Sequence, residues 1–269
     1  MGALRVFLDS SALKMAVQRR IVGRRRRKTL EWGGRETVAE VVQFMPLDPT
    51  GGLQRGQRRE AQRLPVIAWL SLLGRADLIT HAETLWEFFG LPRTDDSFGR
   101  FFGASVGSAE SPLPYGRVLA GGHSGSARDL QARFLQGISH PRFEQLKRAT
   151  GAYQGSRPSP INELADTFHV WCAETAVADV FLTLDEDLVG LVRRHRTYQP
   201  RVRVLLPSDT VRLASELGLF SRQDYSSYRS FRRRLLREGS DHPLESWARL
   251  GRALEADGYY DSEERRSAT

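Results

Sequence analysis

Three aspartates stand where carboxylates can do metal chemistry. Asp9 closes the apolar run Arg5-Val6-Phe7-Leu8. Asp185 closes a second run, Val180-Phe181-Leu182-Thr183-Leu184, and Asp166 lies in the predicted helix that leads into it. Carboxylates gathered at the carboxyl edge of a parallel sheet can hold a hard divalent cation, because Mg²⁺ and Mn²⁺ prefer oxygen ligands and carboxylates cancel the ion's charge. Such ions lower the pKa of a water and neutralise charge in an in-line displacement, which points to phosphodiester hydrolysis. Asp9 is the expected central ligand, able to bridge two ions, and Asp166 and Asp185 complete the set. Each acid also has a plainer explanation. Asp9 can cap the helix that follows it, Asp166 can be a solvated helix residue, and Asp185 can be a turn or N-cap aspartate.

The elements that must position these acids follow from hydrophobic pattern. Residues 5–8 read as a buried strand and 10–22 as a helix carrying Leu13, Val17 and Ile21. Gly33-Gly34 between Lys28-Thr29-Leu30-Glu31-Trp32 and Glu36-Thr37-Val38-Ala39-Glu40-Val41-Val42 predicts a β-hairpin within 29–47. A helix over 57–73 is kinked at Pro65 or starts there. Asp77-Leu78-Ile79-Thr80 reads as a strand, followed by a helix from about 82 to 89. Residues 93–125, rich in Gly, Ser and Pro, read as irregular, and two helices punctuated by Pro141 are expected between 126 and 150. Ser159 and Pro160 supply an N-cap and first turn for the Asp166 helix, whose buried face is marked by Leu164, Phe168, Trp171, Cys172 and Thr175. Strand 180–184, helix 186–195, strand 202–206 and helix 208–218 follow. Alternating strands and helices imply a mostly parallel sheet with helices on both faces, a three-layer α/β/α sandwich. Residues 1–219 form the expected domain, 220–260 a basic helical appendage, and 261–269 a disordered tail.

Charge speaks to partners. The chain has 269 residues, with 40 Lys plus Arg against 32 Asp plus Glu, a net charge of +8. The excess is clustered arginine: Arg24, Arg25, Arg26, Arg27 and Lys28 in one block, and Arg232, Arg233 and Arg234 within another. Guanidinium pairs with phosphate in a bidentate way, so these blocks predict nucleic-acid contact, with a solvated basic face as the bland alternative. The single cysteine, Cys172, excludes an intramolecular disulfide and argues against a Cys-based zinc site. No apolar run is long enough to span a bilayer and Val6-Phe7-Leu8 is too short for a signal sequence, so a cytoplasmic location is expected.

Val6-Phe7-Leu8-Asp9-Ser10-Ser11-Ala12-Leu13 resembles the opening of the PIN-domain nucleases, where a strand ends on Asp before a small hydroxyl residue. Asp166 with Phe168-His169, Ala173, Ala176 and Asp179, then Phe181-Leu182-Thr183-Leu184-Asp185, resembles that family's closing segment. Ile79-Thr80-His81-Ala82-Glu83-Thr84-Leu85-Trp86-Glu87-Phe88 resembles its strand and helix with an internal Glu. Glu87 is the match by register, and Glu83, one turn earlier, is the competitor. The resemblance covers roughly 5–22, 64–91 and 141–218, and leaves out the hairpin, the Gly-rich stretch and the C-terminal appendage. It implies a Mg²⁺- or Mn²⁺-dependent endoribonuclease leaving 5′-phosphate and 3′-hydroxyl ends; the acids together with the basic blocks make RNA the expected substrate, single-stranded ahead of duplex, with other nucleic acid as the alternative. Glu87 would orient the attacking water or hold a second ion. Ser10 or Thr183 would hydrogen-bond a ligand or phosphate, and Asp187 is either a fifth carboxylate or a charge favoured by its helix dipole. A toxin-like member of the family would have an antitoxin-like partner covering the acids; an RNA-processing role and a homo-oligomer are also open.

Competing functions are weaker. A PIN-like module that binds nucleic acid or protein without catalysis keeps the fold and discards the chemistry. An aspartyl phosphatase needs acids two residues apart, and Asp9 is followed by Ser10 and Ser11. Gly121-Gly122-His123-Ser124-Gly125 lacks the phosphate-loop pattern. His169, beside Phe168 and Trp171, reads as a packed core histidine rather than a functional one.

Overall fold

The computed structural model describes residues 2–16, 19–32, 35–46, 53–88, 100–115, 124–155, 157 and 159–237. In chain order the elements are β1 (Leu4–Leu8), α1 (Ser10–Lys14), β2 (Arg19–Trp32), β3 (Arg35–Pro46), α2 (Arg55–Ala61), α3 (Leu64–Leu72) and β4 (Ala76–Thr80). A 3₁₀ helix (Ala82–Phe88) and the two-residue strands β5 (Arg100–Phe101), β6 (Ala104–Ser105) and β7 (Gly107–Ser108) come next. They are followed by α4 (Ser124–Gln136), α5 (Pro141–Thr150), α6 (Ile161–Thr175), β8 (Val180–Leu182), α7 (Glu186–Arg194), β9 (Arg203–Leu205), α8 (Pro207–Glu216) and α9 (Arg222–Arg237).

Five strands form one sheet in the order β7-β4-β1-β8-β9. Every pairing in it is parallel, so "mostly parallel" becomes all parallel. A strand buried on both faces reads as a continuous apolar run, which is why β1 and β8 carry no polar alternation. Alternate residues of β1 serve two different cores. Leu4, Val6 and Leu8 join Leu64, Ile67, Leu213 and Tyr228, from α3, α8 and α9. Phe7 joins Leu135, Phe143, Phe168 and Val189, from α4, α5, α6 and α7. Phe7 stacks on Phe181 of β8 with ring centroids 5.6 Å apart. Helices therefore cover both faces of the sheet, consistent with three layers. The chain leaves β1 for β4 on one side and returns to β8 on the other, so the order reverses between β1 and β8. Sites in such sheets form beyond the carboxyl ends of the strands at that reversal, and Asp9 and Thr183 follow the strands there.

Several elements depart from the sequence pattern. The predicted helix over 10–22 ends at Lys14, and Arg19 begins a strand that runs to Trp32. β2 pairs antiparallel with β3 from Arg19↔Pro46 to Trp32↔Arg35, interrupted by a register shift between Val22 and Arg26. The spacing of Leu13, Val17 and Ile21 fits a helix, but cross-strand pairing with residues 43–46 overrides it. The hairpin is longer than expected, and its predicted Gly33-Gly34 turn lies outside the described residues. Pro65 starts α3 rather than kinking a longer helix. Thr175, expected on a buried face, is exposed. Pro160, not Ser159, is the N-cap of α6. The C-terminal helix is anchored in the main core. Tyr228 is fully buried with its ring 6.2 Å from Trp69, and Arg75 bridges Asp224 at 2.6 Å. The tail 261–269 lies outside the described residues. No helix among the described residues is long and apolar enough to cross a membrane.

Candidate metal centre

Asp9 leaves β1 in extended conformation and caps α1. It is buried, and its two oxygens have different fates. Oδ2 is saturated: it accepts from Ser11 Oγ at 2.6 Å, Thr183 Oγ1 at 2.8 Å and Ser11 N at 3.3 Å. Oδ1 has no hydrogen-bond partner among the described residues and lies 3.6 Å from His169 Nδ1. Burial pushes the Asp9 carboxyl up, but the neighbouring His169 and the two hydroxyls outweigh it and bring it down to about 2. The 3.6 Å separation is beyond a hydrogen bond, so His169 acts here as adjacent charge.

Glu87 repeats the pattern from the opposite element. Oε2 accepts from Ser10 Oγ at 2.5 Å and Lys14 Nζ at 3.3 Å. Oε1 is buried without a hydrogen-bond partner among the described residues, 3.7 Å from His169 Nδ1. The 3₁₀ geometry decides between the two glutamates. At about three residues per turn, positions four apart diverge by roughly 120°, whereas in an α-helix they lie near one face. Glu83 accordingly turns inward, fully buried, and accepts from Tyr115 Oη at 2.5 Å. Glu87 is the one that reaches the cluster.

Asp166 and His169 come from α6, one turn apart. Asp9, Asp166 and His169 each offer a ligand atom within 4.8 Å of the others, an Asp–Asp–His group, buried at Asp9 and His169 and partly buried at Asp166, that could hold a metal ion. Asp166 is pushed up to about 8 by burial first and then by the negative charge of Asp9, with Glu87 and Asp185 adding to it and His169 opposing. Burial alone would lower His169; the Asp9, Glu87 and Asp166 carboxylates raise it instead. His81, by contrast, is held down at about 4 by burial and by His169, and its Nδ1 accepts from Glu83 N at 3.0 Å.

Asp185 sits at the margin. It caps α7, accepting from Leu188 N at 2.9 Å, and its charge reaches Asp166 without joining the three-residue group. Thr183 braces both acids, donating to Asp9 and accepting from Asp185 N at 3.1 Å. Ser10 is tied to Glu87. Asp187 is exposed in the first turn of α7 and outside the group, in keeping with a helix-dipole charge. Arg24–Lys28 run along β2, and Arg232, Arg233 and Arg234 lie in α9, but their side chains are outside the described residues.

Two contributors went unrecognised in the sequence. His169 is no bystander of an aromatic core: its spacing of three from Asp166 puts both on one helix face, a signal obscured by Phe168 and Trp171. Ser11 fastens Asp9 and also accepts from Leu184 N at 3.0 Å, joining the ends of β1 and β8. Compared with known proteins, the chain matches no family model, no curated protein and no solved structure.

Proposed function

We propose that the chain is a PIN-like, divalent-metal-dependent endoribonuclease. The observation that carries this reading is the shared habit of Asp9 and Glu87. Each has one oxygen tied down by fixed donors and one left bare toward His169 and Asp166. Bare buried carboxylate oxygens are costly unless something positive meets them. The carboxylates fit Mg²⁺ or Mn²⁺, with Asp9 and Asp166 as the inner oxygen donors and Glu87 and Asp185 at their edge. A bound ion would acidify water and offset charge on the phosphate. The protein's own part is positioning. Ser11 and Thr183 fix the orientation of Asp9, Ser10 and Lys14 fix Glu87, and Asp166 sits on a fifteen-residue helix backed by the Phe143–Phe168–Trp171 packing. The arginine blocks supply phosphate affinity, and single-stranded RNA is the substrate class that suits a basic chain with a recessed acidic centre.

The test is cleavage of labelled single-stranded RNA with Mg²⁺ or Mn²⁺. Cleavage should stop with EDTA and fall at least about a hundredfold in Asp9→Asn, the scale of a lost charge-stabilising group. Undiminished activity in the variant would sink the proposal.

A further inference from the structure

We infer that His169 is a nitrogen ligand of the cation proposed for this cluster, and that it makes the centre one for Mn²⁺-class ions rather than Mg²⁺. The inference rests on the metal-dependent reading above.

His169 is completely buried, yet neither ring nitrogen has a hydrogen-bond partner among the described residues. Buried polar side chains are nearly always bonded, so an imidazole bare at both nitrogens marks a missing partner. Nδ1 lies 3.6 Å from Asp9 Oδ1 and 3.7 Å from Glu87 Oε1, and both oxygens are bare as well. These gaps are too long for hydrogen bonds. Neighbouring ligands of a six-coordinate ion with bonds of about 2.1 Å stand about 3 Å apart, so the three atoms need to close by only about 0.6 Å to share one ion. Asp166, one turn earlier on the same helix, offers a further oxygen within reach. The other buried histidine nearby does not compete, because His81 Nδ1 is already engaged with Glu83 N.

The donor type then selects the ion. Mg²⁺ demands oxygen donors and sheds its water reluctantly. First-row transition ions take a nitrogen donor beside carboxylates more readily than Mg²⁺ does, with affinity lowest at Mn²⁺ and rising along the series to Cu²⁺. An all-carboxylate cluster would leave the choice to supply; one imidazole tilts it.

The experiment uses the full chain, with calorimetric titration of Mn²⁺ and of Mg²⁺, and pulsed electron paramagnetic resonance of the Mn²⁺ complex with natural and ¹⁵N-labelled histidine. The expected result is Mn²⁺ bound with one directly coordinated histidine nitrogen. His169→Ala should remove that coupling and weaken Mn²⁺ on the order of tenfold or more, leaving Mg²⁺ close to its wild-type affinity. Mn²⁺ bound in an Asp9-dependent way without nitrogen coupling would overturn the ligand assignment and leave the metal centre standing. Tighter binding of both ions by His169→Ala would also overturn it, since the imidazole would then be a counter-cation competing with the metal. No binding of either ion by the wild-type protein would overturn the metal reading itself. The resonance measurement on the wild-type chain decides the question even if the variant fails to fold.

Discussion

At the residue scale, the acidic cluster depends on hydroxyls that hold its carboxylates in place. Thr183 donates to Asp9 and accepts from Asp185 N, so Thr183→Val removes a fixed donor from a buried carboxylate while keeping its shape. Divalent-ion affinity should fall about tenfold or more, the usual effect of losing an outer hydrogen bond, and calorimetry reads it directly. Unchanged affinity would mean that Ser11 alone holds Asp9. Asp166 gives the second residue-scale expectation. Its folded pKa of about 8 stands above the ordinary 3.8, so between those values the folded protein keeps a proton that the unfolded chain has lost. The stability this contributes is fully present below about 4 and is lost as pH rises through about 8. In EDTA, the melting temperature of the wild type should drop from pH 5 to pH 8.5 more steeply than that of Asp166→Asn. The contribution of one group is at most about 1.4 kcal/mol per pH unit. Parallel curves would show that Asp166 ionises normally.

At the element scale, α9 is the informative piece. Ser221 and Asp224 form a reciprocal cap, with Ser221 N donating to Asp224 Oδ2 at 2.8 Å and Asp224 N donating to Ser221 Oγ at 3.2 Å. Tyr228 inserts among Trp69 and Tyr225. Tyr228→Ala should cost about 3 kcal/mol in urea unfolding, by the cavity rule for large buried rings; a loss below about 1 kcal/mol would mean the helix docks weakly. The sequence signalled this helix as basic and separate, because the arginines dominate its composition and two tyrosines do not announce a docking face. The sheet was more legible. Buried parallel strands are short apolar runs, and the acids that end them are visible as such. The hairpin was legible only in its outer half, where glycines flank alternating residues; its inner half shares its spacing with a helix until strand 35–46 is brought beside it. Glu87 against Glu83 was undecidable from spacing alone, since the choice depends on a 3₁₀ rather than an α turn. His169 stayed hidden because sequence gives burial and not the identity of what faces a buried ring.

At the scale of the whole molecule, charge of opposite sign is carried by different elements. The acids are recessed at the sheet edge, while the arginine blocks lie along the hairpin and the last helix. Nucleic-acid binding should therefore weaken steeply with salt. Replacing the five residues Arg24–Lys28 by alanine should lower the slope of log affinity against log salt by up to about 3.5 for single-stranded RNA, near 0.7 per lost phosphate contact. Filter binding across a salt series checks it, and an unaltered slope would remove this block from the interface.

The parallel pairing of β1 with β8 has a consequence for how the chain is made. Val6 lies beside Val180, and Asp9 is fastened by Thr183, 174 residues later. Strand β1 leaves the ribosome some 174 residues ahead of the strand that fills its second edge. Contacts so remote close slowly, and an apolar strand without neighbours needs shielding meanwhile. The same delay is protective: a translation product that stops short of β8 carries Asp9 without its brace and Asp166 without its sheet. Any hydrolytic capacity of this cluster is acquired only once β8 has been made, and chains terminated before it should be inert toward RNA.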